Sequence, residues 1–182
     1  MKAVTAQLTH RLASRADIPA ITRIMERAIA ELQWPFLTPE QIAASHLSMG
    51  LDTQLIDDGT YFLIEQAGIA AGCGGWSRRA TLYGGNHATT LRDDRLLDPA
   101  TEAARIRAMY TDPDFARTGV GRLILGLCEA AAREAGFQRL EMMATRSGQP
   151  LYAACGYQVI KQVDRMAENG VAVPGAVMGK AL

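Results

Sequence analysis

The chain has 182 residues, 48% of them apolar and 21% charged, ordinary values for a globular protein and enough length for one domain with a buried core. Nineteen basic residues balance nineteen acidic ones, which argues against a sequence-independent grip on nucleic acid, since that needs a basic surface. No stretch approaches ~18 uninterrupted apolar residues and residues 1–17 (MKAVTAQLTHRLASRAD) lack the apolar core of a leader, so no membrane span, membrane partner or signal peptide is expected, and the cytoplasm is the expected location.

Residues 8–13 (LTHRLA) read as a strand. Asp17 is placed as an N-cap with Pro19 in the first helical turn; behind it Ile18, Ile21, Met25, Ala28, Ile29 and Leu32 recur at helical spacing. WPFLTPE breaks that helix, and a second starts at Pro39 with Thr38 as cap. TYFLIEQ (60–66) and IAAGCGGWS flank Ala67–Gly68, a hairpin signal. Residues 80–102 form one long irregular segment, read as a mobile flap over an acceptor site. ARIRAMYT (104–111) is a strand, DPDFARTGVG leads into a helix that Gly136 closes, and QRLEMMAT (138–145) is a strand. GQPLYAACG is a short helix, YQVIKQV a strand, and VAVPGAVMGKAL a last strand that pairs back. The pattern predicts a single α/β domain over residues 1–182, with one mixed sheet and helices on both faces. Cys73, Cys128 and Cys155 are widely separated, so they read as buried free thiols and no metal site is expected.

The stretch FARTGVGR (115–122) carries the chemistry. Glycine lets backbone approach a ligand closely, arginine offers a charged planar fork, and the start of a helix presents unpaired amides to an anion. A nucleoside-triphosphate loop would need Lys-Ser/Thr after the second glycine, where Arg122 stands. A dinucleotide fingerprint finds Gly119 and Gly121 and then Ile124 in place of a third small residue. Glu141 lies at a plausible distance for a ribose contact, but inside a strand, and too few residues follow for the second half of such a fold. A glycine-rich helix start with no ligand is the remaining bland alternative.

DPDFARTGVGRLIL after a strand, followed by LYAACGY, resembles the GNAT superfamily of acetyl-CoA-dependent N-acetyltransferases. The resembling residues are Gly119 and Gly121 in the first signature, and Tyr152, Gly156 and Tyr157 in the second. Ala116 occupies the usual Gln/Arg position, with the arginine displaced to Arg117, and Thr145 stands where many relatives place an asparagine.

The resemblance implies a GNAT-like domain of about seven strands, mixed but largely antiparallel, with a splayed strand pair. It implies acetyl-CoA as cosubstrate, no metal, and transfer to a primary amine of a small molecule or peptide. The cofactor would run along Met109, Tyr110 and Thr111, with its pyrophosphate on the amides of Arg117, Thr118, Gly119, Val120, Gly121 and Arg122. Tyr152 would be the general acid. A longer acyl-CoA, or a non-catalytic acetyl-CoA sensor, are the alternative functions, and a homodimer stays open. Glu65, Glu102, Asp112, Glu141 or a water relay could supply a base. His87 and Trp76 are weighed as base and pocket wall against simple exposure and core packing, and Arg105 and Arg107 as substrate contacts against a salt-bridged face.

Overall fold

Strands dominate the computed structural model, which describes residues 7–182; the first six residues, on which part of the leader reading rests, lie outside the described residues. The strands are β1 (Leu8–Leu12), β2 (Tyr61–Gln66), β3 (Ile69–Ser77), β4 (Ala104–Thr111), β5 (Arg139–Thr145), β6 (Gln158–Met166) and β7 (Ala172–Ala181). They form one sheet in the order β1-β2-β3-β4-β5-β7-β6. Every neighbouring pair is antiparallel except β4 and β5, because helix α4 (Val120–Glu134) crosses over between those two. This is the mixed, largely antiparallel sheet that the sequence implied. At the β2–β3 hairpin Ala67 (φ 51°) and Gly68 (φ 77°) supply the paired left-handed residues of a two-residue turn.

Helix α1 (Ile18–Arg27) buries Ile21, Ile24 and Met25, then widens into a π-helical turn over Ala28–Leu32. Asp17 occupies its N-cap position but makes no capping bond with its side chain: the carboxylate is held by Arg11 at 2.7 and 2.8 Å and by the Ser14 amide at 2.7 Å. Helix α2 (Pro39–Ser45) starts as expected. The Thr38 hydroxyl accepts from the Gln41 amide at 3.2 Å, and the Gln41 side chain accepts from the Thr38 amide at 3.1 Å. Helix α3 (Thr53–Asp57), capped by Asp52, is too short to show a period of its own and escapes sequence reading. α5 spans Gln149–Ala154.

Two cores lie on opposite faces of the sheet, fed by alternate strand residues. Ile64, Ala71, Ile106 and Met142 pack with Ile124 and Leu125 of α4, while Tyr61, Leu63, Cys73 and Tyr110 pack with α1, α2 and α3. Glycines in β3 let α4 sit close. A Cβ on Gly74 would lie 2.7 Å from Ile124, and one on Gly72 would collide with Val120. Cys73 and Cys128 are buried free thiols, and Cys155 is half-buried. Burial pushes the Cys73 thiol up to about 12, which removes thiolate reactivity. Among the described residues no helix is long and apolar enough to cross a membrane.

Candidate active site

β4 and β5 pair only at Ala104 with Leu140 and Arg105 with Glu141, then diverge. β4 carries one residue more than β3 over this stretch: Gly75 opposes Arg107, whereas Cys73 opposes Tyr110. The extra residue sits at Ala108, whose φ of 49° is unusual for a residue with a Cβ and costs ~1–3 kcal/mol. Buried Tyr61 holds the bulge by donating its phenol hydrogen to the Ala108 carbonyl at 2.7 Å. Beyond the bulge, Met109, Tyr110 and Thr111 line the opened cleft, part of a cavity of about 660 Å³.

The loop that follows turns the chain into α4. Asp112, almost fully buried, accepts from the Arg27 guanidinium at 2.6 Å and from the Asp114 amide at 3.0 Å, which ties the loop to α1. Arg117 (φ 67°) and Gly119 (φ 97°) then reverse the chain in left-handed conformations. Gly119 is the N-cap residue of α4 and offers no side-chain acceptor, so the first-turn amides, which have no intrahelical partner, are free for an anion. A Cβ on Gly119 would meet open space; one on Gly121 would lie 2.6 Å from Leu151. Arg117 and Arg122 are exposed at this mouth. Every residue read as cofactor-binding lines the cavity except Thr118, whose hydroxyl donates to the Phe115 carbonyl at 2.7 Å.

Tyr152 reaches the same cavity from α5 with its ring buried and set edge-on to Tyr157, centroids 6.3 Å apart. Desolvation pushes its phenol up to about 12, so the hydroxyl keeps its proton at neutral pH. Gly148 makes room for it: a Cβ there would lie 3.0 Å from the phenol oxygen. The Thr145 hydroxyl contacts Ser147 at 3.1 Å and accepts from the Gly148 amide at 3.2 Å, so it is spent on the turn into α5.

The other candidates lie elsewhere. Glu65 pairs with Arg11, Glu102 with Arg95 and Glu141 with Arg105, and with Asp112 bound to Arg27 none of the four carboxylates lines the cavity. His87 is exposed, and Trp76 packs against Phe137 at 6.1 Å in the core. Arg105 belongs to a salt-bridged face; Arg107 is buried and lines the cavity. Its guanidinium donates to Asp52 at 2.8 Å and to the carbonyls of Thr81 and Gly84 at 3.0 and 2.7 Å. Asp52 also receives Arg92 at 3.1 Å, and Arg79 pairs with Asp58 at 2.7 Å. Residues 80–102 are therefore hydrogen-bonded to Arg107 of β4 and, through Arg92, to Asp52 and Gln54 at the start of α3, and only Tyr83 and Gly84 of them reach the cavity. Gln33, Ser48, Tyr83 and Arg165 complete the far end of the cavity. None has a local sequence signal; each arrives from a segment distant in the chain.

The chain matches the model of the acetyltransferase (GNAT) family over residues 23–157. It belongs to that family. Solved GNAT structures share its fold: an N-acetyltransferase from Rhodopseudomonas palustris aligns over all of both chains at 18% identity and a TM-score of 0.71. YncA from Salmonella typhimurium, solved with its cofactor acetyl-CoA, aligns over 96% of this chain and 94% of its own at 20% identity and 0.62. PaiA N-acetyltransferase from Thermoplasma acidophilum, in complex with coenzyme A, covers 97% and 99% at 10% identity and 0.63. No curated protein matches the sequence.

Proposed function

We propose that this GNAT acetyltransferase moves an acetyl group from acetyl-CoA to the primary amine of a small molecule or peptide. One observation carries the reading: the uncapped amides of α4 and the unpaired edge of β4 beyond the Ala108 bulge open into one cavity. The residues present fit the cosubstrate. A diphosphate suits a helix N-terminus flanked by Arg117 and Arg122, and Gly119 keeps side-chain atoms out of that position. An extended amide-bearing arm suits a strand edge that has lost its neighbour. Solved relatives with coenzyme A or acetyl-CoA support the same choice.

Bound acetyl-CoA supplies an activated thioester. The chain's part is to hold and polarise it. Backbone N–H groups near Met109 and Tyr110 are the donors available where negative charge develops, and the Tyr152 phenol holds a proton for the departing sulfur. Among the described residues the cavity lining contains no Asp, Glu or His, which favours loss of the amine's proton to water over a carboxylate or imidazole base. Because burial holds the Tyr152 proton to about 12, turnover should rise with pH as the amine deprotonates and should not fall from tyrosine ionisation below pH ~11.

Titration calorimetry with acetyl-CoA, followed by an amine screen that reads free thiol, tests the proposal. Binding with turnover supports it; binding without turnover on any amine favours the sensor reading. No binding at millimolar acetyl-CoA by a folded protein overturns the assignment.

A further inference from the structure

Two arginines are buried on this cavity, and they differ. Arg107 is fully partnered by Asp52 and two carbonyls. Arg165 is not. It is the one buried residue of β6, an otherwise largely exposed edge strand, and it is only 6% exposed. Its Nε and Nη2 have no hydrogen-bond partner, and Nη1 has only the Ser48 hydroxyl at 3.5 Å. The guanidinium otherwise lies over the Tyr83 ring at 5.8 Å. No carboxylate among the described residues forms an ion pair with it, and none lines the cavity. A buried cation left without a counter-charge is costly, and a planar guanidinium fork matches a carboxylate best.

On the same cavity, Gln33 is 3% exposed and its Oε1 also lacks a partner; its Nε2 lies 3.8 Å from the sulfur of Met49, the neighbour in sequence of Ser48. That oxygen can accept from an N–H. Ile29, Leu32, Phe36 and Met49 supply apolar wall at the same end.

Resting on the acetyl-transfer reading above, we propose that the acceptor is a small amino carboxylate with an uncharged, apolar body, its carboxylate bound by Arg165 and an N–H accepted by Gln33. A polycationic amine would find no counter-charge here and would be repelled by Arg165.

The test pairs each L-amino acid with its carboxamide in a thiol-release assay with acetyl-CoA. The acid form of the preferred substrates should exceed the carboxamide about 10- to 100-fold in kcat/KM, the range for losing charge-assisted hydrogen bonds. Arg165→Met should erase that ratio while acetyl-CoA affinity, read by calorimetry, stays within about twofold. Arg165→Lys should retain part of the preference. The melting temperature of Arg165→Met should hold or rise, because an unpartnered buried charge is removed.

Equal turnover of acid and carboxamide overturns the proposal. So does turnover of carboxylate-free amines alone, a preference that survives in Arg165→Met, or a marked fall in the melting temperature of that variant. If acetyl-CoA binds and no carboxylate-bearing amine is turned over, this inference fails while the cosubstrate assignment stands. If acetyl-CoA does not bind, the wider reading fails first.

Discussion

Where α4 begins, the cavity presents main chain: free amides, a left-handed glycine and the open edge of a bulged strand. Under α1 and β6 it presents side chains instead, those of Gln33, Ser48, Tyr83, Arg107 and Arg165. On the proposed reading, a backbone-built end recognises what backbone can recognise, a diphosphate and an amide-bearing arm, and depends little on the side chains at Ala116 and Thr145. A side-chain-built end takes its selectivity from the groups it presents, and this one is held in place by its own network, centred on the Asp52–Arg107 pair at 2.8 Å. The contrast makes separable predictions for the two ends.

The largest effect is expected at that pair. Its side chains are 1% and 3% exposed, so Asp52→Ala leaves a buried guanidinium uncompensated and should destabilise the domain by about 3–5 kcal/mol. Urea denaturation reads this directly. Below the new midpoint, the variant should bind its amine more weakly while acetyl-CoA affinity is unchanged, since the helix start does not depend on residues 80–102. Parallel losses at both ends would show that the two are mechanically one.

At the other end, Gly121→Glu sets a carboxylate against Leu151 and beside the anion seat. Acetyl-CoA affinity should fall at least ~100-fold, about 2.7 kcal/mol, with the far-UV spectrum retained. Gly119→Glu should do the same through charge and the strain of φ 97°. Unchanged affinity in both would move the diphosphate elsewhere.

The two ends also differ in how well the sequence declares them. Backbone chemistry needs glycines and chain reversals at fixed spacing, so FARTGVGR and LYAACGY announce the end proposed to take the cofactor and the element order around it. That Tyr152 lines the cavity is legible for the same reason: it is local to its signature. The Ala108 bulge is not, because no glycine marks it; it is imposed by the long-range bond from Tyr61. Arg165 lies beyond YQVIKQV, the stretch read as a strand, and only tertiary structure shows it on β6 and inside. Glu65, Glu102, Asp112 and Glu141 looked available as bases because ion pairing with Arg11, Arg95, Arg27 and Arg105 cannot be read from spacing.

Between the ends stands Tyr152. Tyr152→Phe removes a hydroxyl and little packing, and should lower kcat by about 10²-fold with acetyl-CoA affinity retained, the low end for general-acid catalysis. The low end follows from a phenol near 12 donating to a thiolate whose ordinary value is ~8.5. Gly148→Ala should mimic part of the loss by displacing the ring, since its new methyl would lie 2.6 Å from Tyr152 Cε2. Wild-type turnover in Tyr152→Phe across the pH range would reduce the residue to packing.

The smallest effect is expected from the two arginines that first drew attention to the loop. Arg117 and Arg122 are exposed, and exposed charge pairs contribute ~0.2–1 kcal/mol each, screened by salt. If the amides of α4 do most of the holding, Arg117→Gln with Arg122→Gln should weaken acetyl-CoA binding only ~2- to 20-fold. The wild-type affinity should drop toward that of the double variant as salt is raised, because screening removes what the substitutions remove. A loss as large as that of Gly121→Glu, or one that does not close at high salt, would mean the seat is built from side chains after all. The two ends of the cavity would then follow one design rather than two.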